Sequence, residues 1–333
     1  MILVTGATGR VGGNIVRMLR QAGNEVRCLV RMGSEYFWLN DTGATYFFGD
    51  LREPTSLKRA VSGCTYIIHV AGMSMESSDN HHAVTTLEGS ENLFLAAKAE
   101  GVQHVVMVSC AGAGSDAPIA AFDCLARAEQ SLRDSGLSHA ILRPGPFLDD
   151  LAKVVRTVKN GKNIRFWASL DGRVRPVTTR DAAIYAIALL DHPLTVGQIV
   201  PIQGATEIRV GDVLERLCGE FEVSFESLRV TPGRAAARMQ SLLLGRRWDN
   251  HIQELRERFS GNLNLNTEAW VEAVGIPLQD LETAIATVVA ESHPSEDPTA
   301  RDERVVHRQF QATVYEPGTI KETDLPQGPL RLI

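Results

Sequence analysis

The chain lacks the features that mark membrane, zinc-binding and secreted proteins. No stretch reaches the about 18 consecutive apolar residues that a membrane-spanning helix needs. The five cysteines show no CxxC or Cys/His spacing, so we expect neither a disulfide framework nor a metal site. No charged leader precedes the first apolar run. We therefore expect buried thiols in a cytoplasmic protein, or in one that is peripheral on the cytoplasmic face of a membrane.

An excess of positive charge is also missing. The 34 lysines and arginines are outnumbered by 40 acidic residues, and the formal net charge is -6. Nucleic-acid binding needs clustered lysine and arginine, so we expect no nucleic-acid partner. Hydrophobic residues make up 44% of the 333 positions, which is ordinary for a globular protein with a sizeable core.

Short apolar runs alternate with helical patterns in the first half of the chain. Strands are predicted at residues 2–5, 26–30, 45–48, 66–70, 104–109 and 139–142, helices at 11–21, 55–61, 86–99 and 122–135, and later helices after residue 179 and at 210–220. This order predicts an α/β fold with a Rossmann-type, doubly wound parallel sheet. We expect a Rossmann domain at 1–146, a smaller substrate or partner lobe interleaved with the sheet at 147–290, and a flexible C-terminal extension at 291–333.

Three glycines directly after the first strand form the clearest motif. In VTGATGRVGGNIV, Gly6, Gly9 and Gly12 follow an apolar strand and open an amphipathic helix. Gly6 permits the tight turn, Gly9 lets the backbone approach a pyrophosphate, and Gly12 lets the helix pack closely on the strand. The positive end of the helix then faces the phosphates. Because a second strand follows at the right distance, the motif predicts a dinucleotide-binding unit rather than a plain glycine-rich turn.

The residue at the end of the second strand discriminates between the two nicotinamide dinucleotides. NAD-binding units usually carry Asp or Glu there, whereas Arg accommodates the 2′-phosphate of NADP. Arg31 stands at this position, and Arg10 in the glycine loop could reach the same phosphate. We therefore predict NADP(H), with a solvated Arg31 and NAD(H) as the alternative. Asp50, after the third strand, either bonds the adenine amino group or is a simple turn residue.

Five segments together resemble one family of nucleotide-binding proteins. They are VTGATGRVG, GDL at 49–51, VAG at 70–72, AAKAEGVQHVVMVS, and SGLSHAILRPGPF at 135–147. Over residues 1–230 the chain is similar to atypical short-chain dehydrogenases/reductases of the NmrA-like type, nearest the branch of photosystem assembly factors. The resemblance implies a cofactor site at Gly6, Thr8, Gly9, Arg10, Val11, Gly12, Arg31, Asp50, Leu51, Val70, Ala71, Gly72 and Ser109, with Pro144 and Phe147 near the nicotinamide.

The catalytic pair of that family is missing. Short-chain dehydrogenases use Tyr-x-x-x-Lys on the helix after the fifth strand, where the lysine lowers the pKa of the tyrosine so that it exchanges a proton. Aligning this helix on Glu129 places Ala121 at the tyrosine position and Leu125 at the lysine position. Neither side chain can move a proton, and Ser109 alone does not replace them. We therefore assign no catalytic residue.

Three further segments carry candidate residues. His81 and His82 follow the fourth strand and are either proton donors or part of an exposed loop, which we favour. The stretch from Arg229 to Trp248 holds five arginines and no acidic residue, and it either docks on a protein partner or anionic membrane or forms a solvated helix edge. Residues 305–315 alternate like a strand that could pair with a partner's sheet, although we rank disorder higher.

Two functions stay open. In the first, NADP(H) binding rigidifies an assembly or regulatory subunit of a larger, photosynthetic or respiratory membrane complex, contacted through the segment from Arg229 to Trp248 and the C-terminal tail. In the second, the protein is an NADPH-dependent reductase of a quinone or other conjugated acceptor, a reaction that needs orientation rather than a tyrosine acid. The missing pair favours the first function and does not exclude the second. A DNA-associated regulator is disfavoured by the acidic charge balance.

Overall fold

A seven-stranded parallel sheet forms the centre of the molecule. The computed structural model describes residues 1–72, 81–114, 119–159, 165–166, 169–224, 229–230, 253–261, 263 and 265–291. Its strands are β1 (Ile2–Thr5), β2 (Val26–Val30), β3 (Thr45–Phe48), β4 (Tyr66–His69), β5 (His104–Val108), β6 (His139–Pro144), β7 (Arg165–Phe166), β8 (Arg173–Val174), β9 (Ile199–Ile202), β10 (Ile208–Arg209) and β11 (Arg229–Val230). The sheet order is β3-β2-β1-β4-β5-β6-β9, and two small sheets pair β8 with β10 and β7 with β11. The predicted doubly wound α/β fold is confirmed.

Helices cover both faces of this sheet. They include α1 (Arg10–Gln21), α2 (Pro54–Val61), α3 (Gly89–Ala99), α4 (Ala120–Asp134), α5 (Leu148–Lys159), α6 (Thr179–Ala188), α7 (Val210–Glu220), α8 (Glu268–Val274) and α9 (Leu281–Ala290). A π-helical segment at Ala83–Glu88 precedes α3, and residues 253–258 are also helical. One core joins the sheet to α1 and α6, and a second joins it to α2, α3 and α4. No helix in the described part of the chain is long and apolar enough to cross a bilayer.

The central strand shows why the sequence forms this sheet. Ile2 and Val4 of β1 point into the core with α1 and α6, whereas Leu3 points into the core on the opposite face. A parallel strand covered by helices on both faces has no solvent side, so its sequence is continuously apolar rather than alternating. The run ILVT therefore predicts both the strand and its central place.

A third core belongs to the smaller lobe. It joins α5, α7 and α9 and includes Phe166 and Phe259, whose ring centroids lie 6.1 Å apart. The chain beyond residue 146 also returns to the main sheet, because β9 pairs with β6 and α6 packs beside α1. The five cysteines are all buried free thiols, as expected.

Several elements were not predicted: the helices α5, α8 and α9, the two-residue strands, and β9, which is the edge strand of the main sheet. The six predicted strands agree with the structure to within two residues at either end, but no strand was predicted at Ile199–Ile202. Pro201 lies inside it, opposite Arg143 of β6. Proline cannot donate to a strand ladder and is tolerated at a sheet edge, where one side of the strand has no partner. Pro201 would argue against a strand in the middle of the sheet, but it is compatible with β9 because β9 lies at the sheet edge.

Candidate functional site

The carboxyl ends of the parallel strands form one edge of the sheet, and the candidate site lies there. The strand order runs outward from β1 to β3 and then restarts with β4 on the other side of β1. Open α/β sheets bind their ligands outside the carboxyl ends of the strands at such a reversal. The loops that follow β1, β2, β3, β4, β5 and β6 all reach this edge, and they carry the predicted cofactor residues.

The glycine loop has no room for side chains. Gly6 takes a left-handed φ of 66°, and a Cβ there would lie 2.8 Å from the backbone nitrogen of Ala71. A Cβ at Gly12 would lie only 2.2 Å from the carbonyl oxygen of Gly6. Gly9 is the N-cap of α1, and because glycine has no side chain, none caps the first turn of the helix. The uncapped amides and the positive helix end form a cradle suited to a pyrophosphate.

A positively charged corner lies beyond β2 and β3. Arg31 is exposed directly after β2. Asp50, after β3, accepts hydrogen bonds from Arg52 through Nε at 2.9 Å and Nη2 at 2.6 Å. The Arg52 guanidinium holds the pKa of Asp50 below its usual value, and the charge of Arg31 acts in the same direction. Arg52 pairs with Asp50, and the exposed Arg31 lies close enough to act on the same carboxylate, so the two arginines outnumber Asp50 at this corner.

Arg52 was not among the site residues predicted from the sequence. It stands two residues after Asp50, in the run GDLR, and this adjacency was the only available signal. The Asp50 carboxylate faces Arg52 in the structure, whereas the sequence suggested only adenine or a turn. The part of Asp50 in adenine binding stays a prediction.

Arg10 is directed toward the opposite side of β1. Its guanidinium forms an ion pair with Asp150 in the first turn of α5, which follows β6. The neighbouring Asp149 accepts a hydrogen bond from the backbone nitrogen of Thr179 at the start of α6, at 2.9 Å. Because β2 and β6 lie on opposite sides of β1, this conformation does not direct Arg10 toward Arg31. It joins the glycine loop to the smaller lobe instead.

A buried hydrogen-bonded chain lies under the glycine loop. His69, at the end of β4, is 1% exposed. Its Nδ1 lies 2.7 Å from Oγ1 of Thr5 and its Nε2 lies 2.9 Å from Oγ of Ser90. Ser90 donates its proton to the carbonyl of Thr86, so it can only accept from His69. His69 therefore carries its proton on Nε2, and Nδ1 accepts from Thr5.

This chain of hydrogen bonds holds the backbone that meets Gly6. Having donated to His69, Oγ1 of Thr5 accepts from the backbone nitrogens of Val70 and Ala71, each at 3.3 Å. Burial lowers the pKa of His69 to about 4, so the ring is neutral near neutral pH. Both ring nitrogens are used, and Ala71 is fixed where it closes the glycine loop. His69 was not predicted from the sequence, because an apolar strand end gives no sign of a buried partner.

The part of the edge that follows β5 combines one unpaired polar group with a buried apolar cluster. Oγ of Ser109, after β5, is buried and has no hydrogen-bond partner among the described residues. Ala121 is buried in a cluster with Cys110 and Phe122, and Leu125 packs against it. Neither position offers a phenol or an ammonium. The unused hydroxyl and the glycine cradle both fit a nicotinamide dinucleotide, which presents polar groups to each.

The other predicted residues lie along the same edge in different environments. The side chains of Val11 and Leu51 are buried in the two sheet cores, so only their backbone is available to a ligand. Phe147 is half-buried and bridges to Val177. The remaining members of the set are Thr8, Val70, Gly72 and Pro144, all in the loops or strand ends at this edge.

Of the other candidate segments, one differs from expectation and two lie wholly or mostly outside the described residues. His81 is exposed, but His82 is buried beside Thr86, with Nδ1 3.4 Å from its Oγ1, so an exposed loop is wrong for His82. It begins the helical run that packs against α4. Of the stretch from Arg229 to Trp248 only residues 229–230 are described, in β11; the remainder and residues 305–315 lie outside the described residues. Among the described residues, no three His, Cys, Asp or Glu side chains could hold a metal ion.

Comparison with known proteins gives consistent results. A family model described as NAD(P)H-binding matches residues 6–193. The chain is 30% identical over 218 residues to the NAD(P)H azoreductase of Xenophilus azovorans, covering 65% of this chain and 72% of that relative. It is also 30% identical over 243 residues to the (4-alkanoyl-5-oxo-2,5-dihydrofuran-3-yl)methyl phosphate reductase of Streptomyces griseus, covering 71% of this chain and 80% of the relative.

A solved structure shares the fold. The NADPH-dependent quinone oxidoreductase of Escherichia coli, solved with NADPH, matches with a TM-score of 0.69 at 19% identity, covering 86% of this chain and 99% of the other. At this identity the match shows the architecture and leaves the acceptor open.

Proposed function

Because the chain belongs to the NAD(P)H-binding, NmrA-like family of atypical short-chain dehydrogenases/reductases, we propose that it is an NADPH-dependent reductase of a conjugated acceptor, such as a quinone or azo compound. The observation that carries the proposal is Ala121. The cofactor cradle is intact, while the position of the proton-donating tyrosine is apolar and buried. An acceptor that takes hydride without a tyrosine acid suits such a site.

The two similar relatives support this proposal over an assembly subunit. One is named as an azoreductase and the other as the reductase of an unsaturated ring compound, so both are reductases of conjugated acceptors. Nothing in the described residues favours the photosystem assembly branch that the resemblance led us to expect.

NADPH is the proposed cofactor, and the chain's own residues suit its parts. The glycine cradle and the first turn of α1 would hold the pyrophosphate, and Arg31 with Arg52 would hold the 2′-phosphate. Ser109 would donate to the nicotinamide end. A bound nicotinamide cofactor supplies hydride to the reaction.

The protein's part in the reaction is orientation and exclusion of water. Ala121, Phe122 and Cys110 form a buried apolar cluster, which would exclude water beside the acceptor. With the cofactor bound, a conjugated acceptor would gain hydride while one of its π bonds breaks and the electron pair of that bond moves to oxygen or nitrogen. A proton from water then completes the reduction.

Turnover of NADPH tests the proposal. We expect the purified full-length chain to oxidise NADPH, followed at its absorbance near 340 nm, when 1,2-naphthoquinone or an azo dye is added, and to be idle with simple aldehydes and ketones, which need a proton donor. Reduction of simple ketones, or no oxidation with any conjugated acceptor while NADPH still binds, would contradict it.

A further inference from the structure

A short segment of the smaller lobe lies against the substrate end of the site. Phe259 is buried in the lobe core, and its carbonyl oxygen would lie 2.3 Å from a Cβ at Gly172. Gly261 has φ +84°, and a Cβ there would lie 2.7 Å from the carbonyl oxygen of Arg173. The two glycines therefore leave no room for a side chain between this segment and residues 172–173, and the backbone next to Arg258 packs closely there.

Arg258 lies beside the buried apolar cluster. Its guanidinium carbon is 5.7 Å from the centre of the Phe122 ring. Phe122 adjoins Ala121 in the first turn of α4 and packs on Gly112, where a Cβ would lie 2.4 Å from the ring. Burial raises the pKa of the Cys110 thiol, and the charge of Arg258 opposes this rise, so the two groups are close. A cation thus borders the place of the missing tyrosine.

The pairing of Arg258 leaves part of its guanidinium for a ligand. Nε and Nη2 donate to the same Glu254 oxygen, at 3.0 Å and 2.6 Å. Within the described part of the chain, Nη1 has no hydrogen bond. The Arg258 side chain is 20% exposed and that of Glu254 is 8% exposed, so both charges have lost most of their water. The carboxylates of Glu254 and Asp150 offset much of the charge of Arg258. The N–H groups of Nη1 can still donate charge-assisted hydrogen bonds to an anionic oxygen.

We propose that Arg258 is a specificity-determining residue that binds an anionic oxygen group of the acceptor, so that the protein prefers acceptors bearing a sulfonate, carboxylate or phosphate. This inference rests on the proposed reductase function. The guanidinium orients the acceptor against the cluster of Ala121 and Phe122, and it also stabilises the negative charge that develops on the acceptor. If the Arg258–Glu254 pair served only to fasten the segment, acceptor charge would not matter.

The wild-type protein allows a first test that involves no variant. Binding of 2-naphthalenesulfonate and of neutral 2-naphthol is measured by calorimetry with NADP⁺ present. We expect the sulfonate to bind at least about tenfold more tightly, as a charge-assisted hydrogen bond implies. Equal binding of the two compounds overturns the inference.

Variants locate the effect at Arg258. The ratio of kcat/KM for 1,2-naphthoquinone-4-sulfonate to that for 1,2-naphthoquinone is measured in each protein. Arg258→Gln should lower this ratio about ten- to hundredfold, and Arg258→Lys should retain part of it. Arg127→Gln is the matched control, because Arg127 is 60% exposed and pairs with Asp123 on the outside of α4; its ratio should stay that of the wild type.

Different results contradict the anion site and the reductase function. An unchanged ratio in Arg258→Gln overturns the inference and leaves the reductase function intact. If neither quinone supports NADPH oxidation, the reductase function fails, and calorimetry on the wild type decides on the anion site. If Arg258→Gln does not fold, the same calorimetry on the wild type still tests the anion site.

Discussion

Acidification should destabilise the fold through His69. The ring is buried, donates to Ser90 and accepts from Thr5, and its pKa is lowered from 6.5 to about 4 by burial. Between these two pH values the unfolded chain binds a proton at this position and the folded chain does not. The free energy of unfolding therefore falls as the pH decreases through this window, and it is unaffected by His69 above it.

The magnitude follows from the two pKa values. A difference of one pKa unit corresponds to about 1.4 kcal/mol, so the full contribution of His69 is about 3 kcal/mol. Between about pH 7 and about pH 5 most of it is lost, which is about 2 kcal/mol of unfolding free energy. Since a folded domain is stable by only about 5–15 kcal/mol, such a loss is measurable.

Urea denaturation followed by circular dichroism at several pH values is the assay. His69→Asn removes the titrating ring, so this variant should start from a lower stability but lose about 2 kcal/mol less than the wild type on acidification. His81→Asn, at an exposed histidine, is the control and should keep the wild-type pH dependence. If His69→Asn loses as much stability as the wild type between these pH values, His69 is not the neutral, buried group described above.

Two further predictions concern the cofactor cradle and its charged corner. Gly12→Ala forces a Cβ to 2.2 Å from the Gly6 carbonyl oxygen, so it should cost about 1–3 kcal/mol of stability and abolish NADPH binding. Gly114→Ala is the control, because Gly114 has open space around it, and it should change neither property. Normal NADPH binding by Gly12→Ala would refute the tight packing of the cradle. Arg31→Asp should weaken NADPH binding about tenfold or more relative to NADH in fluorescence titrations. Arg127→Asp is the control and should leave the preference unchanged. Tighter NADH binding by the wild type, or no effect of Arg31→Asp, contradicts the choice of NADPH.

Much of the fold was predictable because its determinants are local. The strands of the first half are buried on both faces, so each appears as a short apolar run between turn residues. Gly23 and Gly101, both with left-handed φ, follow the ends of α1 and α3 as a helix end favours. The strand β9 escaped prediction because Pro201 is acceptable only at a sheet edge, and no local pattern identifies an edge.

The site was predictable only in part for the same physical reason. Gly6, Gly9 and Gly12 lie in one turn, and Arg31 follows its strand directly, so short-range spacing suffices to find them. His69 depends on partners 64 residues before it and 21 residues after it. Arg258 meets Phe122 from a distant part of the chain. Such contacts arise only when the sheet brings separate loops to one edge.

The sequence by itself determined the parallel sheet, the glycine cradle and the absence of tyrosine and lysine from α4, since each depends on residue type at a fixed local position. Only the tertiary structure decided which groups the charged side chains contact. It pairs Asp50 with Arg52, directs Arg10 to Asp150, and places Arg258 beside Phe122. Electrostatic interactions depend on distance in space and on loss of water, and neither quantity is encoded at any one position of the chain.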